Sequence, residues 1–188
     1  PEEMVEEFEE ENLELVAVTD HNTTGFYEEL KEAAEGSPVT VLPGVEITTG
    51  NSGENQIHMT AIFPPEQASE VDRLLVDVDI EDDAPQDELS GQTIPNVCER
   101  VWERGGLPIL AHIDTEAGAH EELSSNLTRQ EVFDSDNVAA LEVVSPEIAE
   151  EFSEFAHIKS SDAHSLSQIG RGYTFLKMDE PSFEGLRT

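Results

Sequence analysis

The stretch Leu13–Leu42, LELVAVTDHNTTGFYEELKEAAEGSPVTVL, carries the reading of the fold. It opens on an apolar run, Leu13–Thr19, long enough for a strand and too short for a helix. Polar residues Asp20-His21-Asn22 interrupt it. Thr23–Ala34 then reads as a helix, with Thr23 or Thr24 able to cap its free N–H groups. Val39–Leu42 is a second strand, expected to stop at Pro43-Gly44. Strand, helix, strand in this order predicts an α/β fold with mostly parallel strands.

The same alternation extends outward in both directions. Residues 2–12 place Met4, Val5 and Phe8 among glutamates at helical spacing. Downstream, Val45–Thr49 continues as extended chain, Asn51–Asn55 reads as a turn and Gln56–Phe63 (QIHMTAIF) as a strand. A helix is expected over 66–78, an exposed acidic loop over Asp79–Gly91, and a helix over Ile94–Arg104 that Gly105-Gly106 ends. Strands are expected at Leu107–His112, Ala139–Val144, Ala156–Ser161 and Tyr173–Met178. Between them lie a polar loop at 115–127, a short helix at 128–134 and a helix at Pro146–Phe155. Pro181 opens a last helix. The length suits one domain spanning residues 1–188.

Charge is the most unusual bulk property. Against 43 acidic residues stand 9 basic ones, a formal net charge of −34. Such a surface repels itself strongly unless salt screens it, and at 1 M salt the screening length falls to about 3 Å. The acids are spread along the whole chain, so a halophile-type, salt-rich cytoplasm explains them more simply than an acidic face for a basic partner. The charge disfavours a nucleic-acid partner in dilute salt and much less in concentrated salt. No apolar run approaches the ~20 residues that span a bilayer, and Pro1-Glu2-Glu3-Met4 does not resemble a secretion signal. Cys98 is single and is expected to be a small buried hydrophobe.

Residues of metal-ligand type recur at strand ends. They are Asp20 and His21, Glu46, His58, His112, and Asp162 with His164. Any one histidine is a weak signal, but segments ending at one rim of a parallel sheet converge there. Imidazole and carboxylate together suit Zn, Mn or Fe, and a carboxylate can bridge two ions. Water shared by two such ions loses a proton near neutral pH and becomes a nucleophile. His120 is expected at the surface and His157 in a structural role, while Asp114 and Glu142 are candidates to support the ligands.

Taken in order, TDHNT (19–23), PGVEIT (43–48), IH (57–58), AH (111–112) and SSDAHS (160–165) resemble the successive motifs of the PHP (polymerase and histidinol phosphatase) family. The resemblance implies a distorted seven-stranded (β/α) barrel, two or three divalent metal ions and phosphoester hydrolysis. It implies that Glu46 bridges two metals, His58 and His112 complete the second, Asp162 binds the first, and His21 with His164 binds a third. Glu46 and Asp162 would thus act catalytically through the metals, with Asp20 supporting rather than ligating. The substrate would be a small phosphorylated molecule or a nucleic-acid end.

Residues 169–183 resemble the version of the domain that precedes a chromosome-maintenance-like ATPase module, and Arg171 is a candidate phosphate contact. The family pattern also opens with a strand ending in His-x-His, and nothing of that kind precedes Asp20. The chain is therefore expected to be a fragment lacking the first barrel strand. The alternatives are a catalytically impaired scaffold or regulatory module of an ATPase or DNA-repair protein, and a hydrolase of C–N or C–O bonds, as in amidohydrolase barrels, with Lys159 as the strand lysine.

Overall fold

The computed structural model describes residues 1–187, apart from 50–55, 82–83, 86–87, 124–125, 134–135 and 137, and leaves aside the side chains of 126–128. The predicted turn at Asn51–Asn55 lies outside the described residues. The elements run α1 (Glu2–Glu10), β1 (Leu15–Val18), α2 (Tyr27–Ala33), β2 (Thr40–Thr49), β3 (Ile57–Ile62), α3 (Ser69–Asp77) and α4 (Ile94–Glu103). Then follow β4 (Leu107–Leu110), α5 (Ala119–Glu122), α6 (Asn126–Phe133), β5 (Ala140–Glu142), α7 (Pro146–Glu151), β6 (His157–Ile158) and α8 (Phe183–Leu186). No described helix is long and apolar enough to cross a membrane.

The six strands form one mixed sheet in the order β1-β2-β3-β4-β5-β6. Pairs β1–β2, β4–β5 and β5–β6 are parallel, whereas β3 is antiparallel to both its neighbours. Five of the six strands thus run the same way, in keeping with the expected mostly parallel strands, and β3 is the exception. Residues 50–56 are too few for a parallel crossover, which needs a dozen or more. The sheet curls. β1 and β6 are its opposite edges, yet the rings of His21, after β1, and His164, after β6, lie 6.2 Å apart.

Two further boundaries differ from expectation. β2 passes straight through Pro43-Gly44. Pro43 lacks an N–H, but its carbonyl still accepts from Phe63 N at 2.8 Å. Gly44 is required by crowding, since a Cβ there would stand 2.8 Å from the Ala61 carbonyl oxygen and 2.9 Å from Thr19 Cγ2. Conversely, Tyr173–Met178 forms no strand. β6 has only two residues, so no ladder is offered for it to extend. Thr174 Oγ1 meets Lys159, accepting from its N–H and donating to its carbonyl.

Alternation along the strands decides what each face carries, because successive side chains point to opposite sides. Val45, Ile47, Ile57, Met59, Ala61, Leu110, Leu141 and Val143 share the outer-face core with residues from α3, α4, α6 and α7. A second cluster joins Val5 and Phe8 of α1, Tyr27 and Leu30 of α2, Val41 and Ile169. The inner face carries Leu42, Ile62, Leu107, Ile109 and Ala140, plugged by Phe183 of α8, which is 2% exposed. Glu46 is four residues beyond Leu42 and His58 four before Ile62, so both project from this same concave side. Replacing Phe183 by Ala removes the plug and is expected to cost about 3–5 kcal/mol of stability, read as a lowered urea midpoint.

Candidate metal centre

Strand direction explains how the candidate ligands meet. β1, β2 and β4 end at one rim, bringing His21, Glu46 and His112 there. β3 runs the other way, so its beginning, with His58, arrives at that same rim. The backbone ties the turn after β1 to β2: Glu46 N donates to Asp20 O at 3.1 Å and Asn22 N to Glu46 O at 2.9 Å. His58 N donates to Ala117 O, and Ala111 N to His58 O, which fixes His58 beside the segment bearing His112.

Glu46 is the centre of the group and is 7% exposed. Its Oε1 lies 2.7 Å from His58 Nδ1 and 3.5 Å from His112 Nε2. The rings of His58 and His112 are 5.2 Å apart, those of His21 and His58 5.0 Å. His21, Glu46 and His58 each offer one donor atom, all within 4.8 Å of one another. Although close to two histidines, Glu46 Oε1 has no aligned hydrogen bond among the described residues, and neither do the buried Nδ1 atoms of His21 and His112. Leaving such atoms buried and unbonded costs about 1–3 kcal/mol each. A cation at this point would satisfy a carboxylate oxygen and imidazole lone pairs at once, and the donor set is that of zinc, manganese or iron. The residues present therefore fit a divalent ion.

The electrostatics point the same way. Burial opposes ionisation of Glu46, but His112, His58 and His21 outweigh it and hold its pKa at about 2. Burial is also the largest influence on His21 and lowers its pKa, which keeps the ring neutral with a lone pair to give. His112 is pushed up instead, because Glu46 beside it outweighs the effect of burial. A carboxyl depressed from 4.5 to about 2 contributes stability above pH 4.5 and loses it as pH falls through 2. The metal-free wild type is thus expected to lose about 3 kcal/mol over that window relative to a Glu46→Gln variant. Paired acid titrations followed by circular dichroism measure the difference, and parallel curves would contradict it.

Asp162 and His164 lie at the exposed margin of this group, the His164 ring 6.2 Å from that of His21. Their side chains are 42% and 63% exposed, and His164 Nδ1 is 3.7 Å from Asp162 Oδ1. Arg171 fastens their loop: Nε donates to Ser161 O, Nη2 donates to Asp162 O at 2.9 Å, and Nη2 lies 3.7 Å from Asp162 Oδ2. Asp20 is exposed and meets the site through its carbonyl. Lys159 follows β6, is exposed, and lies one residue beyond inward-facing Ile158, so it points away from the concave side. His157 Nε2 meets Phe152 O at 2.9 Å, a structural contact. His120, expected at the surface, is half-buried edge-on against the Phe152 ring and faces Glu121 and Glu151.

The supports of the site are only partly visible in the sequence. Glu142 closes β5 on the concave face and is buried. It accepts from His112 N at 3.2 Å and from Ser160 Oγ at 2.5 Å, joining the two segments that lead to His112 and Asp162. Its signal is a lone carboxylate on the inward side of AALEVV. Asp114 accepts from Val144 N and Ser145 N at the start of α7. Among the described residues, three of the six non-glycine residues with positive φ fall at this rim: Asn22 (+53°), His112 (+27°) and Asp162 (+45°). Left-handed backbone outside glycine is uncommon and concentrates where side chains are held for function.

Comparison with known proteins agrees with this geometry. Residues 147–188 match the family model described as PHP-associated. No curated protein matches the chain by sequence. Among solved structures, the lesion-specific endonuclease Q from Pyrococcus furiosus superposes with a TM-score of 0.73 at 16% identity, covering 98% of this chain and 49% of that one. Endonuclease Q in complex with a 27-mer duplex carrying an abasic lesion at its active site gives 0.75 at 17% identity, covering 98% and 50%. A two-domain protein from Bacteroides vulgatus containing a predicted PHP-like metal-dependent phosphoesterase gives 0.67 at 16% identity, covering 100% and 56%. The chain spans about half the length of the endonuclease Q chains it matches. At these identities the likeness establishes the fold.

Proposed function

We propose that this chain is a PHP-type, divalent-metal-dependent phosphoesterase domain that hydrolyses a phosphomonoester or phosphodiester in a small phosphorylated molecule or at a nucleic-acid end. The observation that carries the reading is the buried Glu46 Oε1, faced by His58 and His112 and within reach of His21, with no aligned hydrogen bond among the described residues. Two or three ions of zinc, manganese or iron, when bound, would supply Lewis acidity toward the phosphate and a nucleophile from water at neutral pH. Glu46, ionised across the working pH range, gives the site a buried negative charge among the histidines. His21, His58 and His112 would each offer an imidazole nitrogen, held in place by the strands and turns that carry them. Asp162 and His164 complete the ligand set from the loop that Arg171 fastens, and Arg171 remains the candidate contact for a substrate phosphate.

β1 and β6 have no further strand partner among the described residues, and a seventh strand pairing at either edge would extend the sheet toward a barrel. The abasic duplex bound by endonuclease Q supports a nucleic acid as the substrate class. The exposure of Asp162 and His164 favours the second reading, a scaffold or regulatory module of an ATPase or DNA-repair protein. Metal analysis decides between them, together with assays on aryl phosphates, bis-aryl phosphates, abasic duplexes and anilides, with and without chelator. The phosphoesterase reading expects at least one tightly held ion per chain and chelator-sensitive phosphoester cleavage. Less than one ion per chain after loading would end it.

A further inference from the structure

Asn22 immediately follows His21 and is completely buried, 0% exposed, which is unusual for an amide side chain in a polar turn. Its backbone is left-handed, with φ +53°, a conformation that asparagine tolerates better than other side-chain-bearing residues. Its N–H donates to Glu46 O at 2.9 Å. Its side-chain Nδ2 donates to Pro85 O at 3.0 Å and to Glu88 O at 3.2 Å. One residue thereby bonds three segments: the turn bearing His21, the strand bearing Glu46, and the acidic stretch between α3 and α4. The chemistry is specific. Two carbonyls need two N–H donors from one planar group, which an aspartate cannot supply and an alanine cannot reach.

We propose that Asn22 is a positioning residue: it holds the His21 turn against Glu46 and fixes the backbone at Pro85 and Glu88 beside the ligand rim, so that ion affinity depends on it although it donates nothing to an ion. This rests on the metal-centre reading above. Ser90 supplies the natural control. It is buried and anchors the same acidic stretch from the other side, donating from Oγ to Val78 O at 2.8 Å and from N to Thr48 O at 2.9 Å, without touching the His21 turn.

The test compares wild type, Asn22→Asp, Asn22→Gly and Ser90→Ala. Titration with Mn²⁺ and Zn²⁺ reads affinity, and hydrogen exchange of the metal-free proteins reads peptides covering 19–24 and 84–91. Asn22→Gly keeps the left-handed backbone and loses the amide, while Asn22→Asp keeps the shape and loses the donors. Both are expected to weaken ion binding about 10–100-fold, the range for groups that orient a ligand. Both should also lose exchange protection in the two peptides together. Ser90→Ala should lose protection in 84–91 alone and bind ions within about threefold of wild type. Asn22 variants that bind ions as wild type does would overturn the proposal, as would an equal loss of affinity in Ser90→Ala. Should wild type itself bind no ion, the metal reading fails first. The exchange data then decide the positioning claim alone: joint loss of protection upholds it, and loss confined to 84–91 overturns it.

Discussion

Replacing Glu46 by Gln is expected to abolish tight divalent-ion binding, with affinity lowered by more than the roughly 100-fold that marks loss of a supporting group, and to take phosphoester hydrolysis to background. The substitution preserves side-chain volume and removes only the charge on an atom that faces two histidines and is 7% exposed. Folding is not the casualty. A neutral amide forgoes the roughly 3 kcal/mol by which the neighbouring histidines favour the ionised carboxylate, so the metal-free variant should melt lower than the metal-free wild type at neutral pH while still unfolding in one cooperative step. Glu142→Gln is the graded comparison. Glu142 accepts from His112 N and Ser160 Oγ and reaches the site only through them, so its loss should cost about 10–100-fold in ion affinity. Titration calorimetry on the two variants checks the ranking. A Glu46→Gln protein with wild-type affinity would remove Glu46 from the centre, whatever became of activity.

Raising potassium chloride from 0.1 to 2 M is expected to raise the melting temperature by roughly 10–20 °C, the response to about 4–5 kcal/mol of relieved repulsion in a chain of this length. The physical cause is the net charge of −34 on a domain with only 9 lysines and arginines. Half of the eight lysine and arginine ion pairs among the described residues join i,i+3 neighbours, such as Lys31 with Glu28 and Arg100 with Glu103, and contribute little. Arg104 differs in geometry, bonding both Glu70 and Asp77 between α3 and α4. Sucrose at matching osmolality separates screening from general exclusion effects, since it leaves charge repulsion in place. A melting temperature indifferent to salt would instead direct attention to a basic partner as the counterweight to the acids.

Much of the fold was legible because period-2 and helical patterns are local. LELVAVT, QIHMTAIF, LPILAH and AALEVV each hold a strand where expected, with the ends trimmed. The errors have equally local causes. Alternation looks the same in either chain direction, so it could not reveal that β3 is reversed; the short connection over 50–56 could have. Proline and glycine usually stop a strand, but Pro43-Gly44 sits where the ladder needs one carbonyl and no Cβ. YTFLKM has strand-like composition and finds no ladder, leaving Phe175 90% exposed.

Residue types, their order along the chain and their position near strand ends were determined by the sequence by itself, and these were enough to assemble His21, Glu46, His58 and His112 as candidates. Only the tertiary structure decided which of them converge. The curl of the sheet and the reversal of β3 gather those four at one rim, while Asp162 and His164 stay on an exposed loop. It also decided the roles of Asn22 and Glu142, whose partners lie 63 and 30 positions away in the chain. The physical reason is one of range. Strand and helix patterns follow from neighbours a few residues apart, whereas a ligand cluster depends on distances between segments that only the curled sheet sets.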